Sequence, residues 1–463
     1  MSFPADPVPG GHEGQAARAQ QIAHELLPLG VHGAALTYVD TAGITRVKTV
    51  PVSALASAVQ WGVGMSPVFD LFLADDSIVG SDKQGGPDGD LRLYPDLDQL
   101  TVLAAQPGWA WAPVDRLTQD GVPHVNCSRS LLRRVVGEAA ARGLTFKAAV
   151  EIEFVLGRGD APGPAFEPAC TGPAYGMTRL VEQSEFCAEV LEAMAAQDVD
   201  VDQVHPEYAP GQFEISVGAT DPVTAADRSV LVRQTLRALA QKHGLRISFA
   251  PAVEAGGVGN GGHVHLSAWR DGVNLHGTGS GRYGLTPDAE ALAAGILDAL
   301  PSLSAVNTPS PASFLRLQPS HWAGVYACWG HETREAALRV VTGTTGVRER
   351  ASNLEVKACD LAANPYLVFA GLLSAGLDGV DRGLELPEEI TGDPSRFSEA
   401  ELAARGVRRL PTTMDDALTA FAADSKRWGE LLADAIVAVR RGEEARMAGR
   451  SPAEVAEAYR WVY

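Results

Sequence analysis

The sequence predicts a mixed fold of helices and strands, α+β or α/β, built around one large sheet. Two observations carry this reading. Beyond about residue 120, short alternating strands such as KAAVEIEFVL (147–156), GQFEISV (211–217) and GGHVHLSAW (261–269) are separated by segments of helical period such as TAADRSVLVRQTLRALAQKHG (224–244). Before it, a helix-period segment and a hairpin make a smaller unit, and 463 residues are enough for two or three domains.

Taken in order, QAARAQQIAHELLPL (15–29) has helical periodicity, and GAALTYVDTAGITRVKTVP (33–51) reads as a hairpin turning near Thr41–Gly43. The polar, turn-rich SDKQGGPDGDLRLYPDLDQL (81–100) reads as the end of a small sheet. From Trp111 a Pro-rich connection leads to an amphipathic helix starting near Ser130, which puts a domain boundary near residue 120: 1–120 and 121–463. EQSEFCAEVLEAMAAQ (182–197) is a further helix, and the Gly-rich stretch 272–288 is a loop.

Composition excludes several classes. There are 38 basic against 57 acidic residues, a net charge of −19, which disfavours nucleic acid and anionic membranes and tolerates cations and amines. The N-terminal MSFPADPVPGGHEGQ lacks the basic and apolar regions of a signal peptide, and PYLVFAGLLSAGL is too short and Gly-broken to span a bilayer. Five scattered cysteines, in no CxxC pair, read as reduced thiols of a cytoplasmic protein.

One pattern breaks the ordinary reading. Glu151 and Glu153 alternate onto one face of a strand whose other face carries Ile152 and Phe154. Glu214 lies in another strand, with Glu207 just before it; His263 and His265 share one face of a third, and Glu355 and Lys357 one face of a fourth. A single such strand is an edge strand with a wet face. Four in one domain instead suggest a curved sheet whose inner wall binds cations, because two charges about 5 Å apart repel by about 3 kcal/mol at an effective dielectric of 20. Glu151, Glu153, Glu207, Glu214, His263 and Glu355 make an oxygen-rich set with no thiolate, suited to Mg²⁺ or Mn²⁺. Two ions in such a cup are apparatus for phosphoryl transfer. Arg316, Arg334, Arg339 and Arg350 crowd a short region among tryptophans and small residues, and guanidinium forks match phosphate and carboxylate oxygens.

With these motifs in order, the chain resembles the glutamine synthetase family, type I-like, over nearly its whole length. The resemblance implies an α+β fold: an N-terminal β-grasp domain and a C-terminal catalytic domain with a curved antiparallel sheet. It also implies a dodecamer of two hexameric rings, ATP as co-substrate, and two or three Mg²⁺ or Mn²⁺ ions per site. By position, Glu153, Glu207 and Glu214 would hold one metal and Glu151, His263 and Glu355 another. Arg316, Gly259, His265 and Lys357 would bind glutamate, while Ser267, Arg334, Arg339 and Arg350 would meet the nucleotide or the transferred phosphate. Asp40 of a neighbouring subunit would help deprotonate the amine.

The departures concern the amine. Ammonia-using members close the site with a flap glutamate, and here Trp322 stands at that position in RLQPSHW (316–322). An indole neither accepts a proton nor pairs by charge, although its face attracts cations. Trp322, with Tyr175, is therefore expected to line a pocket for a larger amine. Lys357 replaces an arginine, Val258 stands at the usual asparagine of the glutamate loop, and Gly262 stands where a methionine is usual, leaving extra room. Leu384 occupies the place of the adenylylated tyrosine of regulated enzymes. The expected activity is ATP-dependent ligation of the glutamate γ-carboxyl to an amine other than ammonia. Ethanolamine is the first expectation, since the flap has lost an acid that a polyamine would favour; a γ-glutamylpolyamine synthetase and then an ordinary glutamine synthetase follow. A silent relative is disfavoured by the complete ligand set, and a metallohydrolase by the arginine cluster.

Overall fold

The computed structural model describes residues 11–81, 83–86, 88–159 and 166–463. Residues 1–10, most of the stretch read as lacking a signal peptide, lie outside the described residues.

A first sheet is made of β1 (Gly33–Val39), β2 (Thr45–Pro51), β3 (Val63–Met65), β4 (Leu91–Pro95), β5 (Thr101–Val102) and β6 (Trp109–Leu117). Its order is β2-β1-β6-β4-β3, with β5 also on β6. β1 and β6 run parallel while the other pairs are antiparallel, as in a β-grasp fold. Alternation turns Ala34, Leu36 and Tyr38 inward, where they join Leu55 and Val59 of the helix Leu55–Trp61 and Leu93, Ala112 and Val114. The helix Gly11–Leu26 adds Ala19 to that core.

Two expectations fail here. The segment from Trp111, read as a Pro-rich connection, is the central strand β6, and 81–100 holds strand β4 rather than only the end of a sheet. Pro113 misled the reading because proline cannot donate to a ladder. It is tolerated because β6 changes partner there: β1 pairs with it up to Pro113, and β4 from Val114 onward.

The second sheet holds β7 (Thr145–Arg158), β8 (Val201–Pro206), β9 (Gln212–Val217), β10 (Leu245–Ser248), β11 (Val264–Arg270), β12 (Val273–Asn274), β13 (Tyr326–His331), β14 (Ala336–Val341), β15 (Asn353–Val356) and β16 (Arg408–Arg409). Its order is β16-β13-β14-β15-β11-β7-β9-β8, antiparallel except between β13 and β14. β7 is the spine: its first half pairs with β11, and its second half with β9 and β10. The boundary expected near residue 120 falls between β6 and the helix Ser128–Ala140.

One face of this sheet is dry. Ile152, Phe154, Leu266, Leu338 and Leu354 are fully buried with residues of the helices Pro222–Lys242, Pro287–Asn307 and Pro365–Arg382. The helix Pro287–Asn307 is long and apolar enough by composition to cross a membrane, but most of it is buried inside the protein. It crosses Pro365–Arg382 at two glycines: a Cβ on Gly379 would lie 2.2 Å from the Ala291 carbonyl oxygen, and one on Gly295 would lie 2.3 Å from that of Ala375. Asn364 joins the two sheets, capping Pro365–Arg382 through its carbonyl oxygen while its amide donates to the Val39 and Asp40 carbonyls at 2.9 and 3.2 Å. All five cysteines are free and buried.

Gly379→Val should therefore destabilise the protein by about 1–3 kcal/mol through overpacking. Gly137→Ala, in a helix with nothing within 4 Å of the added Cβ, should stabilise it by up to about 1 kcal/mol. Denaturant unfolding of both variants checks the pair.

Candidate active site

The other face of the second sheet gathers the polar residues by strand register. Residues directly opposite across an antiparallel pair lie on the same face. On one side β8, β9 and β7 align His205 with Glu214, and Glu214 with Glu153. On the other side β11, β15 and β14 align His265 with Glu355, and Glu355 with Arg339. Glu151 joins the halves, its backbone N–H donating to the His263 carbonyl at 2.9 Å.

Bases are interleaved with the acids. Glu151 receives His263 Nδ1 at 3.1 Å and His265 Nε2 at 3.0 Å, and Asn353 fixes the other nitrogen of His265 at 2.8 Å. Glu355 is clamped by Lys357 Nζ and Arg339 Nη1, each at 2.9 Å, and Arg339 also donates to Glu332 at 2.6 Å. Burial pushes Glu151 and Glu355 up, but the imidazoles beside Glu151, and Lys357 with the two imidazoles beside Glu355, outweigh it, so both lie well below the usual carboxylate range. Glu207 has fewer such neighbours: burial, with Glu153 and Glu214 close by, pushes it up to about 7. Repulsion between neighbouring carboxylates thus adds to burial at Glu207 and is offset at Glu151 and Glu355.

Among the described residues, two groups bring ligand atoms within 4.8 Å of one another: Glu151, His265 and Glu355, and His205, Glu207 and Glu214. Each differs by one residue from the expected sets. His205, for which the sequence reading gave no role, joins Glu207 and Glu214 in one group, while Glu153, directly opposite Glu214, accepts the Gly261 N–H through Oε2 at 2.7 Å. His265 joins Glu151 and Glu355 in the other, and His263 lies in the same row, its Nδ1 at 3.1, 3.7 and 3.8 Å from Glu151, Glu355 and Glu153. The signal for His205 was its place two residues before Glu207 in a strand-ending VHPE. Carboxylate oxygens with one imidazole per group fit hard divalent cations.

The loop before β11 shapes the next layer. A Cβ on Gly259 would meet the Pro251 carbonyl oxygen at 2.1 Å and Arg316 Cγ at 2.8 Å, and one on Gly261 would meet His263 Nε2 at 2.3 Å. Only glycine lets Arg316 and His263 approach. Arg316, from the short helix Ser313–Arg316, is buried; its Nη2 donates to His263 Nε2 at 3.1 Å and to the Lys357 carbonyl at 3.2 Å. Its Nη1 is buried with no acceptor among the described residues. Gly262 contradicts its expectation: a side chain there would press on Leu361 at 2.9 Å, so the glycine opens no room in the site.

Four expected residues stand apart from this row. Ser267 is on the same face of β11, its hydroxyl accepting from Trp269 Nε1 at 2.9 Å. Arg334, in the β13–β14 connection, and Arg350, on the short helix Arg348–Ala351, are exposed beyond the sheet. Asp40 is 1 % exposed, its carboxylate taking the Ile44 N–H at 2.9 Å and Arg46 Nε at 2.7 Å. Within this chain the carboxylate is thus buried and ion-paired with Arg46.

An aromatic wall adjoins His205. Tyr175 donates to Glu207 at 2.6 Å and stacks on His205 with ring centroids 5.6 Å apart; Tyr208 meets Tyr175 edge-on at 5.4 Å and stacks on Trp322 at 4.3 Å. Both residues expected at the amine pocket, Trp322 and Tyr175, thus belong to one wall joined by Tyr208. Arg316→Lys, which loses the unpartnered fork, should raise the KM for an acidic substrate tenfold or more, about 1.4 kcal/mol, with the KM for nucleotide little changed. Steady-state kinetics separates the two.

The sequence pattern of the glutamine synthetase catalytic domain matches residues 125–456. The γ-glutamylpolyamine synthetase GlnA3 of Streptomyces coelicolor is 64% identical over 463 residues, covering 99% of both chains. A glutamine synthetase of Methanocaldococcus jannaschii is 28% identical over 443 residues, covering 93% of this chain and 96% of its own. Among solved structures, one described as a novel glutamine synthase homolog superposes with a TM-score of 0.82 at 33% identity, covering 94% of this chain and 99% of its own. Ligand-free GmaS gives a TM-score of 0.81 at 28% identity, covering 93% and 97%. The chain belongs to the glutamine synthetase family and is an ATP-dependent ligase.

Proposed function

We propose that this enzyme joins the γ-carboxyl of glutamate to a polyamine at the expense of ATP. The observation that carries the reading is the aromatic and acidic wall of Trp322, Tyr208, Tyr175 and Glu207 beside the acidic row, where a flap acid would suit ammonium instead. The expectation of ethanolamine gives way. It rested on the loss of a flap carboxylate, yet the Glu207 carboxylate lies under Tyr175 in the same wall. The 64% identical relative, a γ-glutamylpolyamine synthetase, supports the same choice.

In this proposal, Glu151, His265 and Glu355, and His205, Glu207 and Glu214, with His263 and Glu153 between them, would hold two or three Mg²⁺ or Mn²⁺ ions. Bound there, such ions would supply charge neutralisation for phosphate oxygens. Arg316 offers its unpartnered Nη1 to the glutamate α-carboxylate, within the loop that Gly259 keeps open. Arg339, at the phosphate end with Ser267, holds Glu355 in place; Arg334 and Arg350 are proposed at the outer nucleotide rim. The ATP γ-phosphoryl passes to the glutamate γ-carboxylate, giving an acyl phosphate. The amine nitrogen then attacks that carbonyl, loses a proton and expels phosphate. Trp322 shields the reaction from water without supplying a base. Assembly into two stacked hexameric rings belongs to the proposal on family grounds alone.

Phosphate release from ATP and glutamate, measured across no amine, ammonium, ethanolamine, putrescine and spermidine, tests the reading. Putrescine or spermidine should have the highest kcat/KM, and ammonium as the best substrate would overturn the proposal. Trp322→Glu should raise ammonium use, and an unchanged ammonium rate would remove Trp322 from amine choice.

A further inference from the structure

We infer that the stacked pair Tyr208–Trp322 is the element that selects an amine carrying a carbon chain and a second cationic centre, and that Glu335 is the positioning residue that keeps the pair closed. This rests on the ligase reading above.

The two rings come from unconnected segments. Tyr208 sits in the turn between β8 and β9, directly after Glu207, and Trp322 sits between the helix Ser313–Arg316 and β13. They stack at 4.3 Å with planes 20° apart, while Tyr208 remains 40 % exposed and Tyr175 54 % exposed. Large aromatic faces held together and left partly open to water are an unfilled contact surface, not a core.

The backbone is held to present them. Trp322 has φ +56° and Ser320 φ +59°, a left-handed conformation that costs a bulky residue about 1–2 kcal/mol. Such a conformation persists only where its surroundings hold it. Here the Trp322 N–H donates to Glu335 Oε1 at 2.9 Å, and the Ser320 hydroxyl is bonded to Asp393 and Ser395 at 2.9 and 3.0 Å. Tyr175 has φ +54° as well, and its hydroxyl is bonded to Glu207. Strain on both sides of the stack is thus pinned by side chains from other elements.

The chemistry of the wall discriminates by size and charge. An aromatic face attracts an alkylammonium by about 0.5–2 kcal/mol, and methylenes add contact area along it. Free ammonium is too small to reach the wall while its nitrogen attacks the acyl phosphate. A chain with a second ammonium gains both terms, and a short neutral-ended amine gains only part.

Steady-state kinetics with spermidine, putrescine and ammonium tests this on the intact enzyme. Tyr208→Ala and the volume-keeping Tyr208→Leu should each raise the spermidine KM about tenfold, the loss of one cation–π face. Glutamate and ATP KM should stay within about twofold, and Tyr208→Phe should resemble the wild type. Glu335→Ala should repeat the Tyr208→Ala pattern, and Glu335→Gln, whose carbonyl still accepts the Trp322 N–H, should restore it. A spermidine KM unchanged in both Tyr208→Ala and Tyr208→Leu overturns the inference while leaving the ligase reading intact. Equal rises in the glutamate, ATP and spermidine KM also overturn it. Wild-type enzyme that turns over neither polyamine overturns both.

Discussion

Strand register is the constraint on which this site depends. β8, β9 and β7 set His205, Glu214 and Glu153 in one line, and β11, β15 and β14 set His265, Glu355 and Arg339 in another. A shift of one residue in any strand would send its polar groups into the dry face that holds Ile152, Phe154 and Leu354. The apolar side therefore enforces the acidic side. Close carboxylates would cost several kcal/mol in mutual repulsion, and the sheet lowers that cost by seating an imidazole, an ammonium or a guanidinium beside each of Glu151 and Glu355. At Glu207 burial and repulsion remain, and a divalent cation bound there would relieve them.

The layers around the row follow from close approach. Gly259 and Gly261 let Arg316 and His263 come within bonding distance, and Gly295 and Gly379 let two core helices meet behind the sheet. Asn364 ties the first sheet to the cap of one of those helices. The aromatic wall is built differently, from turns rather than strands. Its rings are fixed by stacking and by carboxylates that accept from a backbone N–H or a phenol.

Much of the acidic row was legible because period-two alternation is local: Glu151 with Glu153, and His263 with His265, announce their shared face. What alternation does not encode is which atom of a side chain turns where. Glu153 turns one oxygen to the Gly261 N–H, and His205 sits in a strand that ends at a proline, where alternation gives it no partner. The burial of Asp40 is not legible in the sequence, because it depends on the Arg46 partner and on packing no local pattern records. Pro113 hid a central strand, since the change of partner that tolerates it lies in tertiary pairing. Tyr208 and Glu335 carry no sequence signal of their own; each matters through contact with Trp322.

We propose that this face of the sheet binds divalent cations in two groups. Titration with Mn²⁺, following free ion by electron paramagnetic resonance, tests it most directly. The account predicts about two or three bound ions per chain, with Glu214→Ala and Glu355→Ala each losing a different one. Full occupancy retained in both variants, or no saturable binding by the wild type, would contradict it.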